Sequence, residues 1–435
     1  MKKINEIEYH IIKKSWIASS IWLMGLLYLI ILYFITPIYK FCEVYFDYPK
    51  INFSAIRLIL FLITLSLISL LILTNNNRLV FVKRAISTLV PAITCISLVI
   101  IIIIISYPFV QSYASDALNI YLLRVDACVV GYSMIFIAGF FFDHSKRKAT
   151  QQLFMYLWVI FTVFIFFNLN ILIASFILYG VYEKIINYIF LSNGYLFFSI
   201  FLLYFIEKQS IKILIWAIVL IVMFFVPSRS NTICFIFATL FPLLFNLKRL
   251  LYFFLTLVLF ISFFGYILSG SLDSEIITRN RTFSSDLEID TSLEIRLYQA
   301  NKNFENLQST WFFGDFMGDI RIHGEDGNET HSYISFWEQF GIIPFLLMLI
   351  SVFTLLYYLY LLRRDTSQIY KSTLILSLFF IPSMLFAKSY GYNLIWFMIP
   401  RIVVYYQSLK YEKFEKQKTN QEILIGDNLK SQVIL

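Results

Sequence analysis

The sequence predicts an all-α polytopic membrane protein with about twelve transmembrane helices and one large, partly helical loop on the outer face. Hydrophobic residues make up 59% of the 435 residues and charged residues only 14%, whereas about a quarter are charged in soluble domains. Apolar runs long enough to cross about 30 Å of hydrocarbon follow one another through most of the chain. The one long polar interruption lies at residues 270–341. Together these observations exclude a soluble fold.

The apolar runs of the sequence predict twelve membrane spans. Nine precede the loop in residues 1–269, three follow in residues 342–407, and residues 408–435 form a polar tail. The seventh and eighth runs are short and could be partly re-entrant. We place the spans at Trp16–Tyr39, Phe53–Thr74, Leu89–Tyr107, Leu123–Phe142, Leu153–Leu178, Ile185–Ile206, Ile213–Val226, Thr232–Phe245, Leu250–Leu268, Ile342–Leu362, Leu374–Ala387 and Leu394–Tyr406.

The distribution of lysine and arginine predicts the orientation. Alternate connections are rich in these residues, as at Lys146–Lys148, whereas residues 106–117 on the opposite side hold none. By the positive-inside rule both termini are cytoplasmic, and the large loop lies outside, which is the periplasm in a Gram-negative cell. The net charge of +8 therefore reports topology and does not indicate a nucleic-acid partner.

The sequence offers little to a metal or cofactor. The four cysteines are scattered singly, with no CxxC pair, so neither a metal cage nor a disulfide framework is indicated. There is no glycine-rich phosphate loop in a strand-to-helix context, no HExxH and no Asp-x-Asp pair. Asp315 and Asp319 could in principle hold a cation, but their spacing is only a weak indication of a metal site. We therefore expect no metal and no cofactor.

Three arginines lie near the predicted outer ends of spans. They are Arg57, Arg124 and Arg229, the last in the turn between the two short spans. Burying a charged side chain in the membrane costs free energy, so each arginine is expected to have a partner or a function there. One interpretation is that the guanidinium groups reach the lipid headgroups. The other is that they bind an anionic ligand, because a guanidinium fork matches phosphate oxygens.

The loop contributes further cations. Arg279, Arg281 and Arg296 could extend a phosphate-binding cluster, since arginines would have to meet the charge on a leaving diphosphate where no metal does so. The alternative is ordinary surface pairing with the loop's own acidic residues, Asp286, Glu288, Asp290 and Glu294.

Two stretches of the loop have helical patterns. Thr291–Glu294 has the form of a capping box and begins a helix that would turn Leu293, Leu297, Ala300 and Phe304 inward. Further on, a helix from His331 to Gly341 would place one titratable polar stripe at the membrane entry, opposite an aromatic face. The stripe consists of His331, Ser335 and Glu338, and the aromatic face of Phe336, Trp337 and Phe340.

These features resemble the O-antigen polymerases (Wzy) and the related O-antigen ligases. The resemblance rests on about twelve spans with a late outer loop, and on three motifs that cover about a quarter of the chain. The motifs are Ser228-Arg229, a Ser-x-x-x-Arg run at 292–296 followed by Phe313-Gly314, and the His-Ser opening of residues 331–341. The gap from Ser332 to Gly341 is one residue shorter than the family pattern, and Pro344 stands where a second glycine is common.

The resemblance implies a membrane glycosyltransferase of the bacterial inner membrane that builds the O-polysaccharide of lipopolysaccharide. Donor and acceptor would be undecaprenyl-diphosphate-linked oligosaccharides in the bilayer, and a chain-length regulator would be a further membrane partner. At the matching positions, Arg229 and Arg296 would hold the diphosphate and His331 would orient or deprotonate the acceptor hydroxyl. Direct attack would invert the anomeric centre. From their positions in the sequence, and not from the resemblance, Glu338, Arg57 and Arg124 could be auxiliary residues.

Two alternatives remain open at this point. A ligase would transfer the glycan to lipid A core and would differ in its acceptor, not in the histidine and arginine chemistry. A lipid-linked oligosaccharide flippase belongs to another class and usually has repeated halves. The sequence shows no repeat, and its polar groups concentrate on one face.

Overall fold

The structure is a computed structural model that describes residues 16–74, 80–110, 117–142, 147–169, 188–206, 208–226, 228–240, 291–323, 333–386 and 394–411. Every regular element within these ranges is helical. The first eight helices are α1 (Trp16–Tyr45), α2 (Phe53–Thr74), α3 (Val80–Val110), α4 (Ala117–Phe140), α5 (Arg147–Phe167), α6 (Tyr188–Phe205), α7 (Gln209–Phe225) and α8 (Arg229–Leu240). After the loop come α9 (Thr291–Thr310), α10 (Gly318–His323), α11 (Ile334–Phe340), α12 (Ile342–Leu361), α13 (Gln368–Phe386) and α14 (395–411).

Seven of the described helices, α1 to α5, α12 and α13, are long and apolar enough to cross a membrane. Three shorter apolar helices lie within α6, α7 and α8. The prediction of an all-helical, multi-pass membrane protein is therefore confirmed for these ranges. The total of twelve spans stays a prediction, because the ninth, Leu250–Leu268, lies outside the described residues.

The helix ends differ from the predicted spans because a helix does not stop at the edge of the hydrocarbon. The third span was predicted at Leu89–Tyr107, but α3 extends over 31 residues from Val80 to Val110. Its first turns include Lys83 and Arg84, which an apolar-run criterion leaves out. The fourth helix begins at Ala117, six residues before the predicted start at Leu123.

Among the described helices, α1 and α4 contain π-helical turns, at Ile31–Ile35 and Asp126–Gly131. The first lies against Gly194 of α6, where an added Cβ would overlap the Tyr33 carbonyl oxygen. Gly139 of α4 lies as closely against the carbonyl of Phe397. Small residues allow helix backbones in a membrane to approach each other, so these two glycines permit close contact of α6 with α1 and of α4 with α14.

One end of the bundle carries residues 311–323 and 333–341 of the loop, and we call it the loop end. Helix α2 begins at this end, because Ser54 in its first turn is hydrogen-bonded to Asp126 in the third turn of α4. Helices α4 and α12 begin there too, since Asp319 of α10 pairs with Arg124, less than one turn away in α4, and α11 leads directly into α12. Helix α6 also begins toward this end, since Phe201 in its second half contacts Phe142, two residues beyond the far end of α4, with ring centroids 6.0 Å apart.

Candidate functional site

The end of α9 and the start of α12 meet at two glycines of the loop end. Gly314 and Gly341 both have positive φ, 74° and 79°. A Cβ on Gly314 would overlap the backbone nitrogen of Gly341, and a Cβ on Gly341 would overlap the Phe312 carbonyl oxygen. The junction is also hydrogen-bonded, with Asp315 N donating to Glu338 O at 2.7 Å. Residues 311–315 are therefore fixed directly against α11.

A buried ion pair joins α10 to the bundle. The Arg124 guanidinium donates from both terminal nitrogens to Asp319, at 2.8 and 2.5 Å. Only 8% of the Arg124 side chain and 1% of the Asp319 side chain are exposed. Gln339 of α11 donates to Asp319 Oδ1 at 3.3 Å and accepts from Met317 N at 2.8 Å. Helices α4, α10 and α11 thus share one buried polar contact.

The second acidic residue of this segment, Asp315, also pairs with an arginine. Its Oδ2 accepts from Arg321 at 2.6 Å and from Asn306 at 3.0 Å. Asp315 and Asp319 therefore face different cations. Within the described ranges, no group of three or more histidine, cysteine, aspartate or glutamate residues could hold a metal ion.

The structure pairs Arg57 with a residue that the sequence analysis did not single out. Its guanidinium donates to Asp126 Oδ2, which also accepts from Ser54 at 2.9 Å. Asp126 lies in the π-helical turn of α4 and its side chain is 8% exposed. The sequence did contain a signal for this pair, because Asp126 lies inside the predicted span Leu123–Phe142 and a carboxylate there requires a partner.

These pairings change how the two auxiliary arginines are understood. Carboxylates of Asp126 and Asp319 balance the charges of Arg57 and Arg124, and both pairs lie mostly buried within the bundle. The guanidinium groups therefore contact protein carboxylates, a third arrangement beside the two considered from sequence. A role for either arginine in binding substrate stays a prediction.

The start of α8 is tied to α6 by a second buried polar cluster. Asn231, fully buried, donates from its Nδ2 to Ser192 Oγ at 2.5 Å and to Asn193 Oδ1 at 2.8 Å. Ser228 is also buried. Arg229 lies between Ser228 and Asn231 in the chain, so its backbone is anchored toward the loop end by its neighbours. Arg229 and Ser228 were identifiable from the sequence, whereas no sequence pattern pointed to Asn231.

The remaining predicted residues divide into two groups. His331, Arg279 and Arg281 lie outside the described residues. For Arg296 the structure describes the backbone alone, within α9. The structure describes that helix from Thr291 onward, and the residues before it lie outside the described ranges, so the capping box stays a prediction. Phe304 was predicted to face inward but is 55% exposed; among the α9 side chains that the structure describes, Asn303 and Leu307 are buried.

Helix α11 is enclosed on both of the faces predicted from its sequence. The polar residues Ser335 and Glu338 are buried, and so are Phe336 and Phe340. The Phe336 ring stacks on Tyr132 of α4, with centroids 6.5 Å apart. The described residues of the predicted polar stripe and of the aromatic face therefore both contact protein.

Comparison with known proteins leaves the site to be interpreted from its own residues: no family model, no curated protein and no solved structure matches this chain.

Proposed function

We propose that this protein is a membrane glycosyltransferase that joins undecaprenyl-diphosphate-linked repeat units at the outer face of the bacterial inner membrane, as O-antigen polymerases do. One observation carries the proposal: the buried contact of Arg124, Asp319 and Gln339 holds the polar segment against the membrane helices. A segment held in this way can present fixed groups at the membrane surface, where a lipid-linked donor has its diphosphate.

The charges of the loop end support a division of roles among the arginines. Carboxylates already balance Arg57 and Arg124. We therefore assign the diphosphate to Arg229 and Arg296, with Arg279 and Arg281 as further ligands. A guanidinium suits this task because its planar fork can donate to two phosphate oxygens at once.

The proposed chemistry requires one base near the membrane surface. His331 precedes α11 by three residues, and α11 is fixed against α4 and α10. A neutral imidazole can accept the proton of an attacking sugar hydroxyl while the bond to the diphosphate breaks. In this scheme the histidine acts directly on the acceptor and the reaction inverts the anomeric centre.

The test replaces His331 with alanine in a strain that makes long O-polysaccharide. We expect surface polysaccharide to shorten to single repeat units at unchanged protein level, because general-base catalysis typically contributes roughly 10²- to 10⁴-fold in rate. His323→Ala, at the end of α10, is the matched control and should retain long chains.

The lengths of the sugar chains distinguish the alternatives. Loss of a polymerase leaves one repeat unit on lipid A, whereas loss of a ligase leaves none. Purified His331→Ala protein that elongates lipid-linked repeats at the wild-type rate would remove histidine from the mechanism. A flippase would instead change the side of the membrane on which the lipid-linked unit is found, with no elongation by the purified protein.

A further inference from the structure

Three consecutive aromatic residues project from the turn between α9 and Gly314. Trp311, Phe312 and Phe313 are 52%, 42% and 78% exposed. Their rings contact one another edge to face, with centroids 5.4 Å apart for the first pair and 4.9 Å for the second. We call residues 311–313 the aromatic turn. Three adjacent large rings exposed together differ from the scattered single exposures of an ordinary surface.

Hydrogen bonds fix the level of the aromatic turn relative to the membrane. Ile342 N, at the first residue of α12, donates to the carbonyl oxygens of Trp311 and Phe312 at 3.1 and 3.3 Å. Helix α12 has 20 residues and thus rises about 30 Å, the thickness of the hydrocarbon. Its first residue therefore lies near the boundary between hydrocarbon and headgroups, and the aromatic turn lies at the same level.

The surroundings of the turn have the composition of a membrane interface. Trp337 donates from Nε1 to the Trp311 carbonyl oxygen at 2.7 Å, and its ring stacks on Phe345 of α12, with centroids 5.5 Å apart. Tyr333 stacks on the same Phe345 ring at 5.8 Å. Tryptophan and tyrosine are enriched at both interfaces of membrane proteins, where an amphipathic ring has one apolar and one wet side.

Lipid-facing side chains continue directly from this level down α12. Ile343 and Leu346, in its first turns, are 46% and 49% exposed, and Ile350 one turn further is 48% exposed. In a membrane helix such residues contact acyl chains. The exposed rings of the turn therefore adjoin a surface that lipid already covers.

We infer that the aromatic turn is a membrane-interface anchor, inserted among the headgroups and upper acyl chains of the leaflet at the loop end. Its occupant is the bilayer itself, because the turn is bonded to the end of a spanning helix and is continuous with that helix's lipid-facing surface. The anchor holds the C-terminal end of α9 at the membrane surface, while polar exposed positions such as Gln308 face water.

The experiment measures depth directly and does not depend on the proposed activity. In the full chain with the four native cysteines replaced by alanine, single cysteines are introduced by Phe313→Cys, Gln308→Cys and Leu346→Cys and are labelled with a nitroxide. The proteins are reconstituted in phosphatidylethanolamine and phosphatidylglycerol liposomes. Collision rates with oxygen, which concentrates in lipid, and with a water-soluble nickel chelate are then compared by electron paramagnetic resonance.

The two reference sites define the outcome. The inference expects the oxygen-to-nickel ratio at residue 313 to exceed that at residue 308 by several fold and to approach that at residue 346. A ratio no higher than at residue 308 would overturn it, and would indicate that the rings face water or await a protein partner. Phe312→Cys provides a second labelled site if the Phe313→Cys protein does not reconstitute.

Discussion

At the scale of single residues, the ion pair of Arg124 and Asp319 illustrates how a buried charge depends on its partner. Forming such a pair adds little net stability, because removing two ions from water offsets most of their attraction. Breaking it is different, since the remaining charge is then buried without compensation. The pair therefore determines where α10 lies more than it adds to the free energy of folding.

Asp319→Asn should lower the free energy of unfolding by about 3–5 kcal/mol, because it leaves the Arg124 charge buried without its carboxylate. The measurement is an unfolding titration of the purified protein in detergent micelles.

Asp315→Asn is the matched control for that variant. Its partner Arg321 is 45% exposed, so the loss should be at most about 1 kcal/mol. Arg124→Met combined with Asp319→Leu should recover much of the stability, because neither charge then remains. If Asp315→Asn and Asp319→Asn lower the free energy of unfolding equally, the buried pair matters no more to stability than the exposed one.

At the scale of elements, Gly314 and Gly341 decide how α9 and α12 meet. Each adopts a left-handed backbone that other residues rarely take, and each lies where a side chain would overlap the opposing backbone. The two glycines thus permit the hydrogen bonds that bring residues 311–315 against α11.

Gly341→Ala is expected to destabilise the protein by about 1–3 kcal/mol, combining left-handed backbone strain with overpacking at the junction. The unfolding titration in detergent micelles measures this loss. Gln308→Ala, at an exposed position on α9, should change the value by less than about 0.5 kcal/mol. If the Gly341→Ala protein is as stable as the Gln308→Ala protein, the close approach of Gly341 to the backbone of Phe312 is not required for stability.

At the scale of the whole molecule, the helix directions and the charge distribution agree. Phe164 in α5 contacts Phe41 in α1, near the end from which α1 leads to α2. The start of α5 with Arg147 and Lys148 therefore lies opposite the loop end. This is the arrangement that the positive-inside rule expects if the loop end faces outward.

Cysteines introduced at Gln308 and Ala149, in a background without the native cysteines, test this orientation. In intact spheroplasts an impermeant thiol reagent should label residue 308 and should reach residue 149 only after lysis. Both positions are exposed, so burial does not explain a difference. Equal labelling of the two in intact spheroplasts would contradict the predicted topology.

The sequence by itself determined the fold class and most helix positions, because apolar runs of sufficient length must become helices in a membrane. It also identified Arg57 and Arg124 as charged residues inside predicted spans, each of which requires a partner or a ligand. These properties depend on composition or on residues a few positions apart.

Only the tertiary structure decided what those residues contact. Arg124 and Asp319 are 195 positions apart, and Arg57 and Asp126 are 69 apart, so no local pattern connects them. The burial of both faces of α11 likewise depends on which helices surround it. Partner choice is set by the packing of distant segments, and the sequence pattern of one helix specifies only that its charges must find a partner somewhere in the bundle.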